Sequence, residues 1–191
     1  MDTQIESRGS RRTKNLFKKA LISLTETESY SIITVKEIVN EADYNRSTFY
    51  KHYLDKEDLL DDLIQDIILS LEKSVEVSFK KYAYDEMAHL KKQDLKLFDF
   101  IYQNKRVFSL SKQSDLSQDL TMRCTQAIYQ KLYGIWIEKN PDKERQAESA
   151  SRIMSYQIMG IIYGWLINGL QTDPTIIADE FIQFYKDQTN H

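Results

Sequence analysis

The chain has 191 residues and a net charge of −3, enough for one large domain or two small ones. Two prolines and five glycines argue against many turns and for long helices, and a single cysteine, Cys124, excludes an internal disulfide framework and fits a reducing cytoplasm. No apolar run reaches the length of a membrane span, and the polar start MDTQIESRGS lacks a signal peptide's apolar segment, so a cytoplasmic protein with no membrane partner is expected.

Residues 1–9 show no helical pattern and read as disordered. From Arg11 to about Thr27 the pattern predicts a helix, with Leu16, Phe17, Ala20, Leu21 and Leu24 on one face. Its start is strongly basic: Arg8, Arg11, Arg12, Lys14, Lys18 and Lys19 occur with no Asp or Glu among them. Residues 8–56 hold ten basic against six acidic side chains, so a protein acidic as a whole carries a basic arm, the footprint of a phosphate contact. A merely solvated helix start is the plainer alternative. Tyr30, Ile32 and Ile33 in the following connection are expected to plug a core.

Thr34 with Glu37 three residues on has the capping-box pattern, opening a short helix with the apolar stripe Val35, Ile38, Val39 and Ala42. Asp43-Tyr44 breaks the stripe, and Asn45 is a second N-cap, opening NRSTFYKHY. There Phe49 and Tyr53 form an inward i, i+4 pair, while Arg46, Ser47, Thr48, Tyr50, Lys51 and His52 offer an outward face made almost wholly of hydrogen-bond donors. A second short helix held across a first and presenting such a face suits the reading of a DNA major groove. A helical hairpin with a solvated polar face fits the local pattern equally well.

The stretch TVKEIVNEADYNRSTFYKHYLDKEDLL resembles the helix-turn-helix of the TetR/AcrR family of bacterial transcriptional regulators. The matching residues are Thr34, Ile38, Ala42, Thr48, Phe49, Tyr50, His52, Tyr53, Lys56, Glu57 and Leu59. Asp43 stands where glycine is usual, tolerable because Asp enters the left-handed region more easily than most residues; Val39 and Asn45 also depart from the pattern. The resemblance implies an all-α protein: a three-helix helix-turn-helix DNA-binding domain over 8–68, joined by a long helix to a helical-bundle effector-binding and dimerisation domain over 69–191. It also implies a homodimer on a pseudo-palindromic double-stranded DNA operator, most often as a repressor, released by a small-molecule effector. Thr34, Arg46, Ser47, Thr48, Tyr50, Lys51, His52 and Lys56 are then the expected DNA-binding residues, with Lys56 pointing toward the DNA backbone.

Asp55 should cap the long helix, whose stripe is Leu59, Leu60, Leu63, Ile64, Ile67, Ile68, Leu71 and Val75. A segment from about Tyr84 to Tyr102 follows, which Lys91-Lys92-Gln93-Asp94 can interrupt; then come a short turn at Val107–Leu110 and a loop at Lys112-Gln-Ser. Helices are predicted from Asp115 to Lys139, from Asp142 to Leu170, and from Pro174 to about Lys186, the last with Asp173 as cap. Gly160 and Gly164, followed by Trp165, read as a close-approach face, either within one subunit or between two; the resemblance favours the dimer. Phe98, Tyr102, Tyr129, Tyr133, Trp136, Tyr156, Met159 and Tyr163 are candidates for an aromatic effector pocket, with a filled core as the alternative.

Catalysis finds no support. A Gly-rich phosphate loop and a G-x-S-x-G elbow are absent, Cys124 sits on an apolar helix face, and His52, His89 and His191 are scattered, so neither cofactor nor metal is expected. The other function compatible with these residues is a helical co-regulator that keeps the fold and acts through a protein partner.

Overall fold

In a computed structural model, residues 7–112 and 114–189 are described, and every regular element among them is helical. The chain divides into two compact units, one ending at Asp66 and the other beginning at Ile67.

The first unit is built from α1 (Arg8–Leu24), α2 (Val35–Glu41), α3 (Arg46–Tyr50) and the start of α4 (Lys56–Phe79). Helix α1 begins earlier than its apolar stripe. Ser7 caps it by accepting a hydrogen bond from the Ser10 amide at 3.1 Å, so residues 7–9 are ordered, while residues 1–6 lie outside those described. The Thr34–Glu37 capping box forms as read: the Thr34 amide donates to the Glu37 carboxylate at 2.7 Å, and the Glu37 amide to the Thr34 hydroxyl at 3.4 Å. At the other end of α2, the Tyr44 amide donates to the Val39 carbonyl at 2.8 Å and the Asp43 amide to Asn40 at 3.2 Å. This is a Schellman closure, and it needs a left-handed residue at its centre, which Asp43 supplies with φ 57°.

Phe17 of α1 is the hub of the small core. It lies 5.3 Å from the rings of both Tyr44 and Phe49 and 6.4 Å from Tyr53. Phe17, Ile38 and Phe49 have no solvent exposure. Of the three residues expected to plug the connection, Tyr30 and Ile33 are buried but Ile32 is 63% exposed. The turn there is tight, with the Ile33 amide bonded to the Tyr30 carbonyl, and it aims neighbouring side chains in opposite directions.

The second unit contains the rest of α4, two 3-10 turns at Tyr84–His89 and Lys92–Asp94, and α5 (Leu97–Gln103). It continues with α6 (Lys105–Phe108), α7 (Ser114–Lys139), α8 (Glu144–Ile167) and α9 (Pro174–Thr189). The expected interruption at 91–94 is therefore real, and it is resolved as 3-10 structure. Ser78, fully buried on α4, accepts the Lys96 and Leu97 amides at 3.0 and 3.1 Å and so supplies the cap for α5. Helices α7 and α8 pack against each other, and α8 carries the small buried residues Ala147, Ser151 and Ser155. An aromatic chain runs through the core, with Phe79 6.4 Å from Phe181, Phe181 5.8 Å from Phe98, and Phe98 6.3 Å from Trp165.

Candidate nucleic-acid interface

Helix α3 is only five residues long, too short to hold itself together by propensity. Phe49 and Tyr53 fix its inner side in the Phe17 cluster, and Asn45 fixes its start. The Asn45 side-chain oxygen accepts three hydrogen bonds, from the Ser47 hydroxyl at 2.7 Å and from the Thr48 amide and hydroxyl at 2.8 Å each. Both hydroxyl protons are thus committed to the cap. Arg46, Ser47 and Tyr50 are exposed on α3 and Lys51 at its C-cap, Thr48 and His52 are half-buried, and Thr34 is exposed as the N-cap of α2. His52 leans toward α1, its Nδ1 lying 3.5 Å from the Ser10 hydroxyl.

Two of the expected phosphate contacts are placed otherwise. Lys56 does not extend outward: its ammonium donates to the carbonyls of Tyr30, Ser31 and Ile33 at 2.9, 3.0 and 2.9 Å and sits 4.6 Å from the Tyr30 ring centre. Lys18, part of the basic run, is buried, with its ammonium 3.0 Å from Asp62 and 2.5 Å from Asp66. The same Asp62 carboxylate accepts the Tyr53 hydroxyl at 2.7 Å and has Lys14 at 3.8 Å. Arg8, Arg11, Arg12 and Lys19 are the exposed members of the basic run. Neither inward lysine could be recognised locally, because the partners lie 23 to 48 residues away.

Burial by itself pushes the Asp62 carboxyl up, but the Tyr53 and Lys18 hydrogen bonds and the nearby lysine charges outweigh it and hold the group below its ordinary value. A depressed carboxyl stabilises the folded state above its unfolded pKa of about 3.9, and that stability is lost as pH falls through the folded value. Asp62→Asn is therefore expected to cost about 1–2 kcal/mol at pH 7, a pair-breaking cost discounted for partial exposure. The gap between variant and native protein should begin to narrow near pH 3.9 and close as pH falls through the lower folded value. Urea titrations at pH 7 and pH 3 check this: no gap at pH 7 would show the network to be energetically silent, and a gap of equal size at both would show that its cost does not come from the carboxylate charge.

In the second unit, the eight aromatic-pocket candidates are divided between core and surface. Phe98, Trp136 and Met159 are core residues, Tyr129 and Tyr133 stack on each other half-buried on α7, and Tyr102 lies at the surface, stacked on Trp165 at 6.0 Å. Tyr156 and Tyr163 are 67% and 46% exposed. Aromatic identity gives no direction on a helix. The angular position does, and it puts Tyr156 and Tyr163 on the side of α8 away from the buried Ile158, Ile162 and Trp165.

The expected dimer residues also divide. Trp165 is buried against Phe98, and its indole N–H donates to the Thr172 carbonyl at 3.0 Å, so it belongs to the core of its own unit. Gly160 and Gly164 face open space, where an added Cβ would meet nothing within 4 Å. They lie in a stripe with Ile153, Tyr156, Tyr163 and Ile167, all exposed. Beside the stripe, a groove of about 390 Å³ runs between α8 and α9, lined by Gln157, Gly160, Ile161, Ile177, Glu180, Phe181, Phe184 and Tyr185. A larger opening of about 730 Å³ between α4 and α7 is mostly charged, with Glu72, Glu76, Lys80, Lys131, Glu138 and Lys139 on its walls.

Residues 19–63 match the model described as "Bacterial regulatory proteins, tetR family", and residues 88–187 match a TetR "Transcriptional regulator C-terminal region". The chain belongs to the TetR family of transcriptional regulators. It is 23% identical over 183 residues to the uncharacterized HTH-type transcriptional regulator YxbF of Bacillus subtilis, covering 96% of this chain and 47% of that one. The chain thus spans about half the length of that relative. Its fold is similar to a TetR-family structure from Syntrophomonas wolfei, with a TM-score of 0.72 and 15% identity over 95% of this chain and 96% of that one. It is also similar to the dihydroxyacetone kinase operon activator DhaS, with a TM-score of 0.67 and 15% identity over 92% and 95% of the two chains. This TetR-family chain shows no group of three or more potential metal-ligating side chains among the described residues, and no described helix is long and apolar enough to cross a membrane.

Proposed function

We propose that this TetR-family regulator binds a pseudo-palindromic double-stranded DNA operator as a homodimer, with α3 of each protomer in a major groove. The observation that carries this reading is α3 itself: a five-residue helix locked from behind by Phe49 and capped by Asn45, whose exposed residues are Arg46, Ser47 and Tyr50, with Lys51 exposed at its C-cap. A helix this short and polar has no packing use for those side chains. Arg8, Arg11, Arg12 and Lys19 supply positive charge on the same unit for the backbone. The second copy is set against the exposed α8 stripe, where the open glycines let another helix approach closely.

DhaS, an activator, has a similar fold, so the fold does not fix the sign of regulation. The position of the operator relative to the promoter does. An effector is not part of this proposal, because the aromatic residues expected to enclose one are divided between core and surface. The co-regulator alternative gives no role to the exposed Arg46 and Lys51.

Arg46 stands at the first position of α3, and its guanidinium can bond guanine O6 and N7 together. Arg46→Ala is expected to cost about 1–3 kcal/mol on the operator and almost nothing further on an operator with that base pair already changed. Electrophoretic shift or fluorescence anisotropy on the duplex upstream of the protein's own coding region, with single-base variants, measures both. An equal loss on every sequence would make Arg46 a phosphate contact and move specificity elsewhere. Failure of the native protein to bind any duplex would favour the co-regulator.

A further inference from the structure

Resting on the DNA-binding reading, we infer that Lys56 is a positioning residue: it sets where the start of α2 meets the DNA backbone by holding the Tyr30–Ile33 turn, and it does not itself touch DNA. An ammonium has three N–H bonds and no acceptor. All three of these have partners, the Tyr30, Ser31 and Ile33 carbonyls at 2.9–3.0 Å, and the Tyr30 ring closes a further side at 4.6 Å. Reaching a phosphate would take at least one of those bonds away and leave a carbonyl in a half-buried turn without its donor.

The tie has a geometric consequence. Ile33 is followed directly by Thr34, the cap of α2, and the Thr34 amide and hydroxyl are both held at 2.7 Å by the Glu37 carboxylate. Anchoring three carbonyls of a four-residue turn to the first residue of α4 therefore fixes the origin of α2. From there the fixed point passes through the Asp43 turn to Asn45 and α3. A single ammonium references the two exposed helix starts, at Thr34 and Arg46, to α4. The sequence resemblance places a lysine here and suggests a direct backbone contact; the hydrogen bonds assign it a different task.

Salt dependence separates the two. Each phosphate neutralised adds about 0.9 to the slope of log affinity against log salt, so losing a direct contact in both protomers would make the slope shallower by about 1.8. The experiment compares native protein, Lys56→Met and Lys56→Gln on a roughly 30-base-pair duplex from upstream of the gene, a length covering about three turns of a two-half-site footprint. It is run at several salt concentrations below the melting temperature of each variant, together with amide hydrogen exchange of the free proteins over residues 30–38. Lys56→Met, which keeps the stem and loses every donor, should bind at least tenfold more weakly with the slope unchanged and with faster exchange at 30–38. Lys56→Gln, neutral but still able to donate to two carbonyls, should recover most of the affinity.

A slope shallower by about 1.8 in both variants would make Lys56 a phosphate contact and overturn the inference. Unchanged affinity in Lys56→Met would reduce the tie to a stabilising contact with no bearing on DNA, and would also overturn it. Should Lys56→Met not fold, Lys56→Gln decides together with its hydrogen exchange: weaker binding in step with faster exchange at 30–38 and an unchanged slope supports positioning, while a shallower slope, or faster exchange with unchanged affinity, refutes it. Native protein that binds no duplex removes the DNA-binding reading and this inference together, a result distinct from any defect confined to the variants.

Discussion

Gly160→Leu combined with Gly164→Leu is expected to leave the protomer folded and to dissociate the proposed dimer. In most proteins such a double change confounds the two effects, because the new side chains collide with the subunit's own core. Here a Cβ at either position meets nothing within 4 Å. Replacing glycine inside a helix also removes a propensity cost of about 1 kcal/mol at each site, so the isolated protomer should melt no lower than the native one. Between subunits the sign reverses. The stripe of Ile153, Tyr156, Tyr163 and Ile167 can come close to a second helix only where the glycines leave room, and two leucines hold that helix away. Affinity for a two-half-site operator should fall by at least tenfold, because one protomer alone keeps half the contacts. Analytical ultracentrifugation reads the mass and circular dichroism the helix content. An undiminished dimer with intact helices would place self-association on another surface.

The helix-turn-helix was legible because its signals are local. The Thr34–Glu37 box, the Asn45 cap and the Asp43 turn each depend on residues within five positions, and each forms with the residues read for it. Side-chain destinations that depend on distant partners were not legible. Lys18 and Lys56 look the same in sequence as Arg12 and Lys51, yet the first two are drawn inward by carboxylates and carbonyls that only the folded chain brings near. Helical phase is an intermediate case. At 3.6 residues per turn, Trp165 stands about 140° around α8 from Gly160, so the two could not share a contact face. That separation follows from spacing alone. The aromatic set of α7 and α8 divides between core and surface for the same reason, since chemical type does not say which side of a helix a residue occupies.

Phe17→Ala is the substitution expected to damage the first unit most. Phe17 has no solvent exposure and meets three other rings, those of Tyr44, Phe49 and Tyr53. Those rings come from the α2–α3 turn, from α3 and from the segment leading to α4, so one side chain on α1 holds α3 and both segments that flank it. Truncating a buried phenylalanine to alanine costs about 3–5 kcal/mol through lost transfer energy and the cavity left behind. A unit of this size has a total stability of about 3–9 kcal/mol, at roughly 0.05–0.15 kcal/mol per residue. The loss is therefore comparable to everything that holds α3 in place. The second unit shares none of these contacts and should retain its own transition. Thermal melting of Phe17→Ala should show the first unit unfolding separately at low temperature, with DNA binding abolished and the mass of the proposed dimer retained. Phe17→Leu, which refills most of the volume without the edge-to-face contacts, should recover more than half of the lost stability. A single undisturbed transition in Phe17→Ala would mean that the ring cluster is not what holds α3.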